Sequence, residues 1–448
     1  DGKHLFYAKG PVSYASATIY TRIRNPYSNY GYYFITENND EVATVDSAQF
    51  VSKFYHVPED YHSLYEVDGF AWFSGGRNLQ DPNPIEGGTS RSFTINNPSA
   101  NDGGKLYVAV TAGSSTSVEV SINDSILGTH TMRCGEYAKG SISAKSYNVG
   151  NLRPENKVTL KTISGGPARL DYICLTSMSP REDYTLKGRQ FPAAEYVYNI
   201  TNQDHHADGF ADLVIVIPTS QNTVEQARRL KEFHEQHDGL RVTIVPADEL
   251  YNEFSSGTPD ANAYRRYMKM LYDRAKTDAD MPKYLLLFGD CVWDNRMMTT
   301  TTSNLNADDY LLCFESEDSY NEVSCYLDDG FFCYLDEGEG ENPQSSDMLD
   351  ICVGRFPITN AVEAKTMVDK TIRYVKNENA GAWQNTIMFM GDDGNNNTHM
   401  EDANQAAEET MKNHHGYVVK KVMWDAYKRV SSASGNTSPD PPNLLTAP

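Results

Sequence analysis

Two rhythms of apolar positions divide this chain. Up to about residue 185 the apolar residues come in short runs, several alternating with polar neighbours, and clusters of Gly, Pro, Asn, Asp and Ser separate the runs. Alternation of period two puts every second side chain on one face of a strand. It is clearest in Leu106, Val108 and Val110 and again in Val118, Val120 and Ile122, with the turn pair Asn123-Asp124 directly after. Strands are expected over His4–Ala8, Ala17–Ile23, Tyr30–Thr36, Gly69–Phe73, Ser90–Ile95, Lys105–Thr111, Ser117–Ile122, Lys157–Thr162 and Arg169–Leu175. Strands at this spacing predict a jelly-roll-like β-sandwich over residues 1–185. The aromatics Tyr27, Tyr30, Tyr32, Tyr33 and Phe34 read either as one core face or as a sugar-binding platform.

A polar stretch from Asn199 to His206 marks the passage to another pattern, and residues 186–210 read as a linker. Adjacent side chains on an extended segment point opposite ways, so His205 and His206 are poor metal co-ligands. From Ala211 onward, short apolar runs alternate with helical periods. Strands are expected over Ala211–Ile217, Arg241–Val245, Lys283–Phe288, Ile351–Gly354, Thr386–Met390 and Tyr417–Met423. Helices are expected over Thr223–Gln236, Asp248–Phe254, Asp260–Arg274, Ala361–Glu378 and Glu401–His414. Ala227, Leu230 and Phe233, and then Tyr264, Tyr267, Met268 and Leu271, mark the core faces of two of them. Strands alternating with helices predict a parallel sheet. The Ser-, Pro- and Asn-rich stretch after Tyr427 reads as a loop leading into a further element at Leu444–Pro448.

Length and charge sharpen this picture. A chain of 448 residues exceeds one ordinary core and implies two or three domains. No apolar run is long enough for a membrane-spanning helix, and no signal-peptide pattern opens the chain; a start at Asp1 suggests trimming. A net charge of -22 disfavours nucleic acid, whose phosphates demand cations. Between Arg296 and Arg355 there is no Lys or Arg at all, while fourteen Asp and Glu fill the interval. That run reads as solvated surface, or as a cation or substrate site. Seven Cys without a C-x-x-C pair argue against a zinc site; Cys313, Cys325 and Cys333 are close enough in sequence to bridge.

In an open parallel sheet, ligands bind beyond the carboxyl ends of the strands. Here those ends carry Pro218-Thr219-Ser220, Gly289-Asp290, Arg355 and Gly391-Asp392-Asp393. Asp290, the pair Asp308-Asp309, Asp392 and Asp393 are the candidate substrate or cation contacts. No dinucleotide fingerprint, phosphate-binding loop or nucleophile elbow occurs. A thiol nucleophile needs a neighbouring His. Cys291 follows Asp290, an electronegative setting expected to raise its pKa, and Cys352 lies in a strand expected to be buried. His414-His415-Gly416 holds a His-Gly pair, but no Cys follows it.

Ala211–Pro218 (ADLVIVIP), Tyr251–Gly257 (YNEFSSG), Lys283–Asp290 (KYLLLFGD), Asp308-Asp309-Tyr310, Asp350–Pro357 (DICVGRFP) and the helix from Glu363 to Tyr374, taken in this order, together resemble the gingipain-like cysteine peptidases, most closely their type IX secretion sortase branch. Leu5–Ala8 and Asn25–Ser28 resemble the β-rich region that precedes the peptidase part in that branch. The resemblance implies an incomplete caspase-like α/β sheet over residues 211–448, behind a β-sandwich accessory domain. It implies a catalytic His and Cys beyond Pro448, so that this chain, as a truncated peptidase, is inactive by itself. His399, His414 and His415 then lie upstream of the dyad, and Asp350 stands where the family often has an acid that assists the His. The resemblance also implies protein or peptide substrates, cleaved by hydrolysis or transpeptidation, and an extracellular or bacterial outer-membrane location. No cofactor is required, and calcium is possible. The competing expectation is a non-catalytic binding or scaffold protein with a degenerate caspase-like half. A carbohydrate-active sandwich is a third.

Overall fold

The computed structural model describes residues 8–36, 57–99, 101–179, 193–200, 202–340, 346–426, 429–431 and 437–439. They form two compact units, residues 1–368 and 369–448. The first unit opens with a small antiparallel pair, β1 (Val12–Tyr14) and β2 (Arg22–Arg24). Next come β3 (His62–Glu66), β4 (Ser90–Asn96), β5 (Gly104–Ala112), β6 (Thr116–Ile122), β7 (Ser125–Met132), β8 (Ser141–Val149), β9 (Glu155–Ser164) and β10 (Ala168–Thr176). These eight make two four-stranded antiparallel sheets, ordered β3-β10-β5-β8 and β4-β9-β6-β7. The alternation in the sequence is their register. Leu106, Val108 and Val110 of one sheet and Val118, Val120 and Ile122 of the other are buried in a single core with Phe93, Leu160, Leu170 and Ile173. Asn123 and Asp124 both take positive φ, 46° and 69°, which closes β6 onto β7 as a two-residue hairpin.

The expected strands over Tyr30–Thr36 and Gly69–Phe73 do not form; the latter region keeps only an isolated bridge, Phe70 to Gln80. The run Ala17–Ile23 shortens to β2. The aromatics explain why. Tyr27 is buried in the core of the parallel sheet, whereas Tyr30, Tyr33 and Phe34 are exposed, so they share no face. His4 to Tyr7, most of the expected first strand, lie outside the described residues. Conversely β1, β3, β7 and β8 were not expected. β8 is an edge strand with mostly solvated side chains, and its sequence SISAKSYNV shows no apolar rhythm.

The parallel sheet consists of β11 (Leu213–Ile217), β12 (Val242–Pro246), β13 (Tyr284–Leu287) and β14 (Cys352–Arg355), ordered β12-β11-β13-β14. All five residues of β11 are buried, as a central strand covered on both faces requires. Helices α1 (Val224–His237), α2 (Ala247–Phe254) and α3 (Asn262–Arg274) connect the first three strands. Tyr264, Tyr267, Met268 and Leu271 of α3 pack with Val214, Val216, Leu250 and Leu285. The N-cap of α3 is Ala261 rather than the expected Asp260, whose carboxylate one residue earlier accepts the Asn262 N–H (2.8 Å). Helix α4 (Ala361–Val375) follows β14 in the chain. Within the second unit, β15 (Thr386–Gly391) pairs in parallel with β16 (Val418–Met423), and α5 (Thr398–Asn413) packs on both. A short antiparallel pair, Arg429–Ser431 with Thr437–Pro439, follows.

The acidic run between β13 and β14 is not a solvated fringe. It carries almost no regular structure, and its carboxylates take the place of a hydrogen-bond ladder. Asp318 accepts the Tyr320 N–H (2.7 Å), Asp328 that of Gly330 (2.7 Å), Asp347 that of Gly340 (2.8 Å) and Asp350 that of Leu335 (2.6 Å). Basic residues of α3 cover its carbonyls: Arg265 donates to Tyr334 O (2.7 Å) and Lys269 to Leu335 O (2.8 Å). Its other side binds the sandwich. Phe73 N–H donates to Ser319 O (3.1 Å) and Lys139 N–H to Tyr320 O (2.7 Å). Gly76 comes so close that a Cβ there would stand 2.1 Å from Asp318 O. At the centre, Arg296 pairs with Asp68 at 2.5 Å with both side chains 4% exposed, and also reaches Asn29 (3.0 Å).

Removing one partner of a buried ion pair strands the other charge. Arg296→Ala is therefore expected to lower unfolding stability by about 3–5 kcal/mol, measured by denaturant titration. Glu315 offers a test by pH. Burial pushes its carboxyl up to about 9 despite a hydrogen bond from Asn295, and its Oε2 has no partner. Above the ordinary value of 4.5 the unfolded chain releases this proton while the folded chain keeps it, so stability falls as pH rises toward 9. Glu315→Gln is neutral throughout. Its thermal midpoint relative to the unaltered chain is expected to climb steadily over that interval, and parallel curves would refute the assignment.

Candidate functional site

The carboxyl ends of β11, β13 and β14 meet in one place. Beyond β11, Pro218 turns the chain and Ser220 N–H donates to Asp308 O (2.8 Å). Beyond β13, Asp290 N–H donates to Ile358 O (2.9 Å) and Asp290 O accepts the Leu311 N–H (2.8 Å), tying the strand end to both flanking loops. Gly289 allows this crowding, since a Cβ there would stand 2.8 Å from Pro218. Three of the expected contacts thus come together: Asp290, half-buried, accepts the Cys291 N–H (2.8 Å); Asp308 is exposed; and Asp309 accepts from the amides of Asn222 and Asn306, both at 3.0 Å.

Arg355 closes the site at the end of β14. Its guanidinium donates two bonds to the Asp329 carboxylate (2.8 and 2.7 Å) and a third to Gly289 O (3.0 Å). Burial opposes its charge, but Asp329 outweighs burial and the guanidinium pKa rises. The Asp329 partnership could not be seen in the sequence, because the two residues lie twenty-six positions apart with mostly irregular chain between them.

Cys291 departs from expectation. Its thiol pKa is lowered, first by a hydrogen bond from the Cys313 thiol and then, against burial, by the nearby Arg355 charge; Asp290 and Asp329 act the other way and lose. Cys313 takes the opposite shift. Cys352 is exposed rather than buried, since β14 ends the described sheet. All seven Cys are free thiols, and Cys313 faces Cys291, not Cys325 or Cys333.

The other candidates lie elsewhere. Asp350 precedes β14, at the opposite end of the sheet from Asp290, where it accepts the Leu335 N–H and the Tyr272 hydroxyl (3.4 Å). Asp392 and Asp393 follow β15 in the second unit. Asp392 bonds the His399 ring Nδ1 at 2.5 Å, which lowers the Asp392 pKa. His205 sits between Asp208 (2.8 Å) and Glu249 (2.7 Å), and these two outweigh burial and raise its pKa. His206 stacks on Phe254 and pairs with Glu253 (2.7 Å), so both histidines dock the linker onto α2. Among the described residues no Cys bonds a His, and no group of three or more His, Cys, Asp or Glu is arranged to hold a metal ion. None of their helices is long and apolar enough to cross a membrane.

Residues 206–445, more than half of the chain, match peptidase family C25, and the chain belongs to that family. In structure it is similar to dimeric latent PorU from Porphyromonas gingivalis, with 22% identity and a TM-score of 0.62 over 85% of this chain and 44% of that one. The likeness shows the fold: antiparallel sheets, then parallel α/β sheets. The chain thus spans less than half the length of that relative. Smaller overlaps occur with a carbohydrate-binding module of Cellvibrio mixtus lichenase 5A in complex with cellotriose (16% identity, 21% of this chain, 75% of that chain, TM-score 0.17). Another is with a CBM36-1 domain of a multidomain xylanase from the Trinervitermes trinervoides hindgut metagenome (14%, 26%, 98%, TM-score 0.19). At these scores neither bears on the chain. No curated protein sequence matches it.

Replacing Arg355 tests the electrostatics of the site. An adjacent cation favours the thiolate, so Arg355→Met is expected to slow alkylation of Cys291 at neutral pH by about tenfold. Exposed Cys352 serves as internal reference, and mass spectrometry of both peptides gives the rates. An unchanged ratio would remove Arg355 from the account of Cys291.

Proposed function

We propose that the chain is the N-terminal portion of a gingipain-like cysteine endopeptidase or sortase-type transpeptidase, whose catalytic His and Cys are supplied by sequence beyond Pro448. The observation that carries this reading is the family match over a region with its strand ends gathered around Asp290, Asp309 and Arg355, yet with no Cys bonded to a His among the described residues. In the complete protein a thiolate adds to a peptide carbonyl, and the imidazolium protonates the leaving amine. Water or an amine then takes the acyl group. Thiolate and imidazole carry the charge of these steps, so no cofactor is required of the reaction, and calcium binding is compatible with it. This chain's residues contribute the floor: Arg355 and Asp329 fix the carboxyl edge, and the sandwich is braced against it through the acidic run. The family relationship favours protein or peptide substrates and an extracellular or cell-surface location, and by itself the chain is expected to be inactive.

Sequencing the reading frame past the codon for Pro448 is the first test. A His-Gly followed by a Cys, each ending an apolar strand, is expected. In the extended protein, replacing that Cys by Ala should abolish cleavage of a peptide library and labelling by a thiol-directed peptide probe. A frame without the pair, or an extended protein that neither cleaves nor takes the probe, would leave a non-catalytic scaffold.

A further inference from the structure

The site contains a second piece of thiol chemistry that the peptidase reading does not use. Cys291 and Cys313 belong to different segments of the acidic loop, brought together where the Cys313 thiol lies 3.5 Å from the carbonyl oxygen of Val292, the residue after Cys291. The contact is held from several sides. Leu311 N–H bonds Asp290 O (2.8 Å), two residues before Cys313 and one before Cys291. Asn295 grips the backbone of Cys313, accepting its N–H at 3.0 Å and donating to its carbonyl at 3.0 Å. Two sulfurs fixed in this way need little rearrangement to join, since disulfide geometry depends on how the backbone presents the pair.

The two thiols are also unequal in the manner that exchange chemistry requires. Cys291 is half-buried and beside the Arg355 guanidinium, whereas Cys313 is 1% exposed. An accessible thiolate attacks first, and a sheltered neighbour resolves. Cys174 and Cys134 bond oxygens instead, the Tyr14 hydroxyl (3.7 Å) and Ala112 O (3.4 Å).

We propose that Cys291 and Cys313 form a reversible redox pair, oxidised to a disulfide by exchange with a low-molecular-weight disulfide. The Cys291 thiolate attacks one sulfur of the reagent, forming a mixed disulfide and expelling one thiolate. Cys313 gives its proton to solvent and attacks the Cys291 sulfur, and the second reagent thiolate leaves. Two protein thiols and one disulfide thus become one protein disulfide and two small thiols. The bridge ties the loop after β13 to the 311–315 segment and leaves Asp290 and Arg355 in place. It is independent of the proposed peptidase dyad.

The test is to incubate the folded chain with oxidised glutathione at mildly alkaline pH, block remaining thiols with N-ethylmaleimide and map peptides without reduction. The expected product is a linked pair of peptides carrying Cys291 and Cys313, with that site's two thiols lost from the seven and restored by dithiothreitol. Cys313→Ser should instead accumulate one glutathione on Cys291, and Cys291→Ser should leave Cys313 unmodified. The proposal is overturned if the unaltered chain holds stable glutathione on Cys291 without closing the bridge. It is equally overturned if Cys313 links to Cys325 or Cys333, or if both Cys291 and Cys313 remain fully alkylated after oxidation.

Discussion

Every buried backbone N–H and carbonyl must find a partner, and the segment between β13 and β14 meets that demand with almost no helix or strand. Its donors bond to its own carboxylates, as at Asp318, Asp328, Asp347 and Asp350. Its acceptors bond to Arg265 and Lys269 of α3 on one side and to backbone N–H groups of the sandwich on the other. This is why the run can lack Lys and Arg without flying apart: the cations that balance it come from outside. Carboxylates that accept N–H bonds are turned inward toward partial positive charge, so their mutual repulsion is smaller than a count of charges suggests.

The same arrangement joins the two halves of the first unit. A β-sandwich and a parallel sheet each complete a separate core, and nothing about either fixes their mutual orientation. The loop supplies that orientation by binding both. Arg296, next to the mouth of the parallel sheet, is buried against Asp68 of the sandwich side, while Tyr27 from the N-terminal segment is inserted in the core of the sheet. A site at the carboxyl edge consequently stands on a braced floor rather than on free loops.

Much of the fold was legible because burial writes itself as periodicity. The inward faces of β5 and β6, the all-apolar β11 and the α3 face from Tyr264 to Leu271 were each visible as a rhythm. Where burial is one-sided or slight, the rhythm vanishes, and β8 was invisible for that reason. Aromatic clustering misled in the other direction. Tyr27 and Tyr30 lie three positions apart, yet one is in a core and the other in solvent, because the segment bends instead of extending. Strand ends were readable, and so Asp290 and Arg355 could be named in advance. Asp329 and Cys313 could not, since a loop held by side-chain hydrogen bonds has no period to betray which residues it brings together.

That difference explains how the setting of Cys291 reversed. From sequence its neighbour is Asp290, and a neighbouring carboxylate disfavours a thiolate. In space Asp290 is occupied by the Cys291 N–H, while Arg355 and the Cys313 thiol, distant along the chain, face the sulfur. Electrostatics act through distance and not through sequence order, and at the convergent ends of parallel strands the two diverge most. The carboxyl edge of this sheet is where residues from β13, β14 and the long loop between them are forced into one small volume. Within that volume two neighbouring thiols are driven apart, Cys291 toward its ionised form and Cys313 away from it.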